Sequence, residues 1–331
     1  MVYPDFLVVG AQKAGTTWLY RSLRTHPQVW MPREKELHYF DEKIRLDGGL
    51  FSRLRGDRPA DWRWRRQVKS RLKRSRKDLK WRDVAWDLKY FLREPNDRWY
   101  ASLFDPGDDQ IAGETTPDYS ILGKRTISHV RDIMPEAKII LMMRNPVERP
   151  WSVADMGRRI KGESLEDASE DEYYAQLDNR RVRLMTDYLK MLENWSAFYP
   201  EEQIFAGFLE DIHFFPEELL LKLYEFLGVD SSAKYRIIRR KIHSGFQSTM
   251  PTRYAVHLAN SYYDETRRLS ERFGGYASFW LHCAHRLIED PPTGEQVPYP
   301  FWESPLWAEW KEGREVAMQS GPLPSVWAAS G

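Results

Sequence analysis

Residues 6–20 read FLVVGAQKAGTTWLY. Four apolar residues run into a loop bounded by Gly10 and Gly15 that holds one lysine, Lys13, and a helix-compatible segment follows. A strand, a glycine-bounded turn and a helix in that order form a cradle for an anion. Backbone N–H groups at the helix start and the helix dipole favour negative charge, and the glycines let the backbone come close to it. The place of the lysine narrows the ligand. A nucleoside-triphosphate loop carries its lysine after the second glycine, as G-x-x-x-x-G-K-[ST]; here Lys13 precedes Gly15, and Thr16 and Thr17 follow. The loop suits a nucleotide phosphate while departing from the ATPase pattern.

A second anion site is written in residues 141–152, LMMRNPVERPWS. An apolar strand ends at Arg144, whose planar fork of donors suits a terminal phosphate, and Ser152 adds a hydroxyl eight positions on. With residues 13–17, KAGTT, this pair of motifs resembles the sulfotransferases that use 3′-phosphoadenosine-5′-phosphosulfate (PAPS). The resemblance runs from about residue 5 to residue 280, with a gap at 42–95. It implies a three-layer, P-loop-like α/β fold with a central, mainly parallel sheet flanked by helices. It also implies that Lys13, Ala14, Gly15, Thr16 and Thr17 hold the 5′-phosphosulfate, that Arg144 and Ser152 hold the 3′-phosphate, and that PAP is the product.

Sulfuryl transfer needs an acceptor oxygen in line with the bond being broken, a base for the acceptor proton, and positive charge on the departing phosphate. Residues 32–41, PREKELHYFD, resemble the E-x-H-[FY]-F-D pattern of carbohydrate-type sulfotransferases. That resemblance implies Glu36 as general base, His38 and Asp41 placing the base and the acceptor, and Lys13 bridging the leaving phosphate and the sulfonate, with no metal in the scheme. The bland readings stand beside these: the charged run 33–36 as a solvated face, and His38, one of eight histidines, as a structural residue. Residues 113–119, GETTPDY, resemble a G-E-K-[ST]-P-x-Y segment lining the acceptor channel in relatives. Thr115 stands where lysine is frequent there, which counts against a heavily charged glycosaminoglycan acceptor. Residues 241–248, KIHSGFQS, occupy the place of a loop that closes over the adenine and 3′-phosphate; Ser244 and Gly245 offer donors, and Phe246 replaces a common arginine. Tyr188 resembles a channel-wall position and reads equally as packing. Arg149 reads as a surface or ion-paired arginine.

Elsewhere the chain alternates strand and helix patterns, the mark of an α/β layer structure. Strands are expected at 6–9, 111–114, 138–143 and 203–208, and helices at 16–25, 187–198 and 216–227, the last stopped by Gly228. At 331 residues, with a net charge of +1 and one cysteine, Cys283, the chain can bury a large core but cannot form an internal disulfide. The first strand leaves no room for a cleaved leader, and no apolar run approaches the roughly 20 residues that span a bilayer. A cytoplasmic protein is expected.

Two segments lie outside the family pattern. Residues 61–83, within the insertion at 42–95, carry eleven Lys or Arg, with Trp64, Val68, Leu72, Ser75 and Leu79 at roughly helical spacing. This basic amphipathic helix is expected to bind an anionic polymer, to lie on an anionic membrane surface, or to pack its stripe on the body. No nucleic-acid module is present. Residues 286–331 form a Pro- and Trp-rich extension to a domain at 1–285; it reads as lying across the body or against a second subunit. The function expected is transfer of the PAPS sulfonate to a hydroxyl, or an amine, of a carbohydrate or small-metabolite acceptor. Two alternatives stay open: a P-loop nucleotide kinase, opposed by the place of Lys13 and by the want of a metal-binding aspartate after a strand, and a non-catalytic protein that binds an anionic polymer.

Overall fold

Five strands run parallel, and the chain writes three of them, at 6–10, 138–143 and 204–208, as largely apolar runs. In the computed structural model, β1 (Phe6–Gly10), β2 (Val29–Trp30), β3 (Ile111–Thr115), β4 (Lys138–Met143) and β5 (Ile204–Phe208) form one sheet in the order β2-β3-β1-β4-β5. The structure describes residues 1–41, 54–57, 61–62, 64–66, 68–69, 81–162, 169–233 and 248–324. Every residue of β1 and β5 is buried, and only Lys138 of β4 is not. A parallel strand covered on both faces has no polar side to alternate with. Register is fixed by the pairs Val8↔Thr115 and Val8↔Ile140, which place β3 and β4 on either side of β1. The chain builds outward from β1 on one side, through β2 and β3, and then crosses to β4 and β5. The carboxyl end of β1 is thus a topological switch point, where α/β sheets open a crevice for ligands.

The expected elements match closely, with ends shifted by a residue or two. The helix after the cradle is Thr16–Leu23 rather than 16–25, and the next two expected helices are Tyr188–Ser196 and Pro216–Leu227. Gly228 ends the last of these in the left-handed conformation, at φ 79°. Four strands were not legible: the two-residue β2 and three that lie late in the chain. β6 (Thr249–Pro251) and β7 (Gln296–Pro298) pair antiparallel, and β8 (Gly321–Pro322) adds an antiparallel edge to β5. The late three have two or three residues each and contain proline, so neither periodicity nor propensity announces them.

Among the described residues the C-terminal extension lies across the body of its own chain. Trp307 stacks on Phe214 with centroids 5.1 Å apart and meets Phe279 edge-on at 4.8 Å. Asp211, after β5, accepts hydrogen bonds from Ser320 N at 2.7 Å and Ser320 Oγ at 2.6 Å. The described part of the basic insertion is helical at 61–62, 64–66 and 68–69. Trp64 is buried there and donates through Nε1 to Phe91 O at 3.2 Å, and Val68 packs on the core, so this end of the stripe faces the body. Leu72, Ser75 and Leu79 lie outside the described residues.

Candidate active site

The cradle is built as its sequence requires. Gly15 caps the helix Thr16–Leu23 at φ 87°, and no side chain caps the first turn, so the helix N-terminus is turned to an outside anion. At φ 87° position 15 favours glycine on conformational grounds, and a Cβ there would also have to displace the Ile212 Cδ1 methyl, 2.3 Å away. Lys13 itself adopts φ 73°. Burial, reinforced by the charges of Arg144 and Arg159, lowers its ammonium to about 8.

Arg144 emerges from the end of β4 beside this loop and donates through Nη1 to Lys13 O at 3.2 Å. Its Nε and Nη2 donate to Glu148 Oε2 at 3.2 and 3.0 Å, one helical turn on. Glu148 is buried and accepts a second bond, from Phe301 N at 2.6 Å, on its other oxygen. Tyr299 places its ring 5.2 Å from the Arg144 guanidinium and accepts from it through the hydroxyl, which Ser152 also contacts. The two phosphate residues expected from the sequence are thus brought together, and two residues of the Pro-rich extension join them. Glu148 was findable from its i, i+4 spacing to Arg144; nothing local marks Tyr299, which is 155 residues distant in sequence.

On the other side of β1, the loop after β2 carries the acid–base cluster. Glu36 N donates to Thr115 O at 3.2 Å, which hooks this loop to the carboxyl end of β3. His38 lies between two carboxylates, with Nε2 3.1 Å from Glu36 Oε2 and Nδ1 2.6 Å from Asp41 Oδ2. Lys35 Nζ donates to the other Glu36 oxygen at 3.0 Å. Burial would raise Glu36, but the hydrogen bond from His38 and the charge of Lys35 outweigh it and hold the carboxyl at about 2. Burial works against the charged imidazole of His38, yet bonds to Asp41 and Glu36 raise it above its ordinary value. Each ring nitrogen faces a carboxylate, which suits an imidazolium with two N–H donors. Beneath the cluster, burial raises Glu114 to about 7, although Tyr100 and Thr116 donate to it. Glu36, His38 and Asp118 offer ligand atoms within 4.8 Å of one another. Both imidazole nitrogens face carboxylates, so the cluster is linked by hydrogen bonds through His38.

Among the described residues, Lys13, Glu36 and His38 are the non-glycine residues with positive φ, at 73°, 76° and 57°. Side chains there cost backbone energy, and such residues gather at active sites.

Three residues sit deeper than a surface position. Thr115 is buried, and its carbonyl holds the Glu36 loop. Tyr188 is fully buried and donates its hydroxyl to Arg144 O at 2.8 Å, in keeping with the packing reading. Arg149, expected at the surface or ion-paired, is fully buried, and Nε and Nη2 donate to Thr186 Oγ1 at 2.8 Å and Val182 O at 2.6 Å. Ser244, Gly245 and Phe246 lie outside the described residues.

A glycine-bounded loop with a flanking arginine sits at the switch point, and a carboxylate–imidazole cluster lies across β1. A family model described as the sulfotransferase family matches residues 4–233, and the chain belongs to that family. It is 28% identical over 149 residues to the membrane-associated sulfotransferase kil1 of Dictyostelium discoideum, covering 45% of this chain and 22% of that protein. Over 161 residues it is 28% identical to carbohydrate sulfotransferase 15 of Rattus norvegicus, covering 45% of this chain and 26% of the relative. The chain thus spans about a quarter of the length of the curated relatives it matches. The crystal structure of a sulfotransferase from Alicyclobacillus acidocaldarius has the same fold, with TM-score 0.56, 22% identity, and coverage of 82% of this chain and 96% of that one. Among the described residues, no helix is long and apolar enough to cross a membrane.

Proposed function

We propose that the protein transfers the sulfonate of PAPS to a hydroxyl of a carbohydrate or small hydroxylated metabolite. The observation that carries this reading is the coincidence of two independent signals: the residues that the motifs mark for chemistry, Lys13, Glu36 and His38, are those the backbone holds in left-handed conformations. Residues 13–17 with the uncapped helix N-terminus fit a 5′-phosphosulfate, and Arg144 with Ser152 fits a terminal phosphate. In the reaction the acceptor oxygen attacks sulfur in line, the bond from sulfur to the phosphate oxygen breaks, and PAP departs. Lys13 neutralises charge developing on the departing phosphate oxygen, and Glu36 takes the acceptor proton. His38 and Asp41 keep the Glu36 carboxylate oriented. An acceptor of the carbohydrate class accords with the similarity to carbohydrate sulfotransferase 15. A cytoplasmic setting goes with the same reading, since Cys283 is a buried free thiol and no disulfide is needed.

The test is a calorimetric titration with PAP against ATP and magnesium, followed by sulfonate transfer from PAPS into a cell extract with mass-spectrometric identification of the product. Glu36→Gln is expected to bind PAP as the parent does and to lose roughly 10²- to 10⁴-fold in turnover. Parental turnover in that variant, or preference for ATP over PAP, refutes the reading.

A further inference from the structure

Asp118 occupies the unspecified position of the G-E-K-[ST]-P-x-Y pattern, so nothing in the family resemblance assigns it a task. The fold puts it beside the cluster of Glu36, His38 and Asp41. Strand β3 ends at Thr115, and Pro117 opens a short 3₁₀ turn, Pro117–Ile121, at the mouth of the switch point. Gly10 lies against this turn, where its Cβ would meet Ser120 and Pro117 O. The next residue, Tyr119, accepts a bond from Tyr39 N at 2.8 Å and so grips the loop that carries His38. Asp118 is 5% exposed. One of its oxygens is 3.6 Å from His38 Nδ1, beyond the closer Asp41. The other receives Arg181 Nη2, which reaches inward from the helix Arg180–Leu184 although the arginine side chain is 46% exposed. A buried carboxylate needs a compensating charge, and this one has two neighbours of different kind, a guanidinium and an imidazole.

We propose that Asp118 and Arg181 form a positioning pair for His38, in which the carboxylate favours the protonated ring held between Glu36 and Asp41 and the guanidinium moderates that pull. The proposal rests on reading Glu36, His38 and Asp41 as the acid–base centre. The groups facing His38 are Lys35, Glu36 and Asp41 on its own loop, Glu114 on β3, Asp118 on the 3₁₀ turn and Arg181 on the helix Arg180–Leu184. Of these, Asp118 and Arg181 are tied to each other rather than to the base, so they tune that centre without entering it.

A purely structural tie and a positioning pair predict different signs. Ring-¹⁵N histidine NMR, with the His38 signal assigned by its disappearance in His38→Gln, follows the titration of His38 in the free protein. Removing the Asp118 charge in Asp118→Asn is expected to lower the His38 pKa by about one unit, the scale of one opposite charge lost at this distance. Arg181→Gln unmasks the carboxylate and is expected to raise it. Because Arg181 is half exposed, this second variant keeps the fold and carries the test even if Asp118→Asn unfolds. A His38 titration unmoved in Arg181→Gln, or moved downward, overturns the proposal. Opposite shifts in a protein that transfers no sulfonate would leave the pair standing and refute the proposed reaction instead.

Discussion

Lys13 gives the site a pH dependence whose size follows from the structure. Burial and the nearby charges of Arg144 and Arg159 hold its ammonium at about 8 in the free protein. A bound nucleotide phosphate would reverse that balance, because the lysine then faces an anion, and its pKa returns toward or above 10. Binding therefore prefers the protonated lysine. Affinity for PAP is full well below pH 8 and falls as pH rises through it; at pH 9 the free lysine is about ten parts neutral to one part charged, so affinity drops roughly tenfold, and the fall flattens as pH approaches the bound pKa near 10. The same linkage predicts that binding takes up protons, about half of one per PAP at pH 8 and about eight-tenths at pH 9. Isothermal titration calorimetry from pH 7 to 10, in buffers of differing ionisation enthalpy, measures both quantities. The phosphates of PAP complete their own ionisation near pH 6, below this window. Lys13→Gln should bind more weakly at every pH and show neither the fall nor the uptake. Parental affinity that is flat between pH 7 and 9.5, or an inflection that survives in Lys13→Gln, would refute the placement of this lysine on the donor phosphate.

Two further outcomes are expected. Gly15→Ala forces a side chain into φ 87° and toward Ile212 Cδ1, at a cost of about 1–2 kcal/mol for the left-handed backbone alone; Tm should fall by roughly 2–6 °C and PAP affinity by about tenfold or more, and unchanged PAP binding would sink the cradle assignment. A chain stopped after Asp290 loses β7, β8, the Phe301 bond to Glu148 and the Ser320 bonds to Asp211. It also loses the buried Val297, Phe301, Leu306, Trp310 and Leu323, whose burial is worth about 1.5–3 kcal/mol each, and uncovers the apolar surface they pack on. That sum rivals the whole stability of a domain, so the truncated chain should give no cooperative melt by near-ultraviolet circular dichroism; a transition within a few degrees of the parent would make the extension dispensable.

What was legible in the sequence divides along a physical line. Strands β1, β4 and β5 were readable because burial on both faces leaves only apolar residues, and the cradle because Gly10 and Gly15 stand where a side chain would be crowded or strained. Arg144 and Ser152 stand on one short segment, so their cooperation is local. The rest of the site is assembled across the sheet. Tyr299 and Phe301 reach Arg144 and Glu148 from a Pro-rich segment with no periodicity. Arg181 meets Asp118 from a five-residue helix 63 positions away. Arg149 illustrates the same limit from inside the core: a buried guanidinium that donates to a hydroxyl and a carbonyl looks, in sequence, like any surface arginine.

The strength of the base is where geometry and chemistry have to be reconciled. A general base works best with a pKa near the working pH, yet two donors hold Glu36 at about 2 in the free protein. Those donors are not equivalent. His38 is fixed between Glu36 and Asp41 by bonds of 3.1 and 2.6 Å, whereas Lys35 is one residue from Glu36 on a flexible stem. Were Lys35 drawn away from Glu36, the carboxylate would recover proton affinity, because the charge and hydrogen bond of that ammonium lower it. The remaining interaction is with a ring whose second nitrogen answers to Asp41 and, at 3.6 Å, to Asp118. On the proposed reaction, the proton taken from the acceptor would be shared within a coupled set, whose proton affinity belongs to Glu36, His38 and Asp41 together rather than to one carboxylate. Glu36 and His38 both hold left-handed backbone, at φ 76° and 57°, on the one short loop that brings their side chains within 3.1 Å of each other, and strain of this kind gathers where side-chain placement is over-determined by the surroundings.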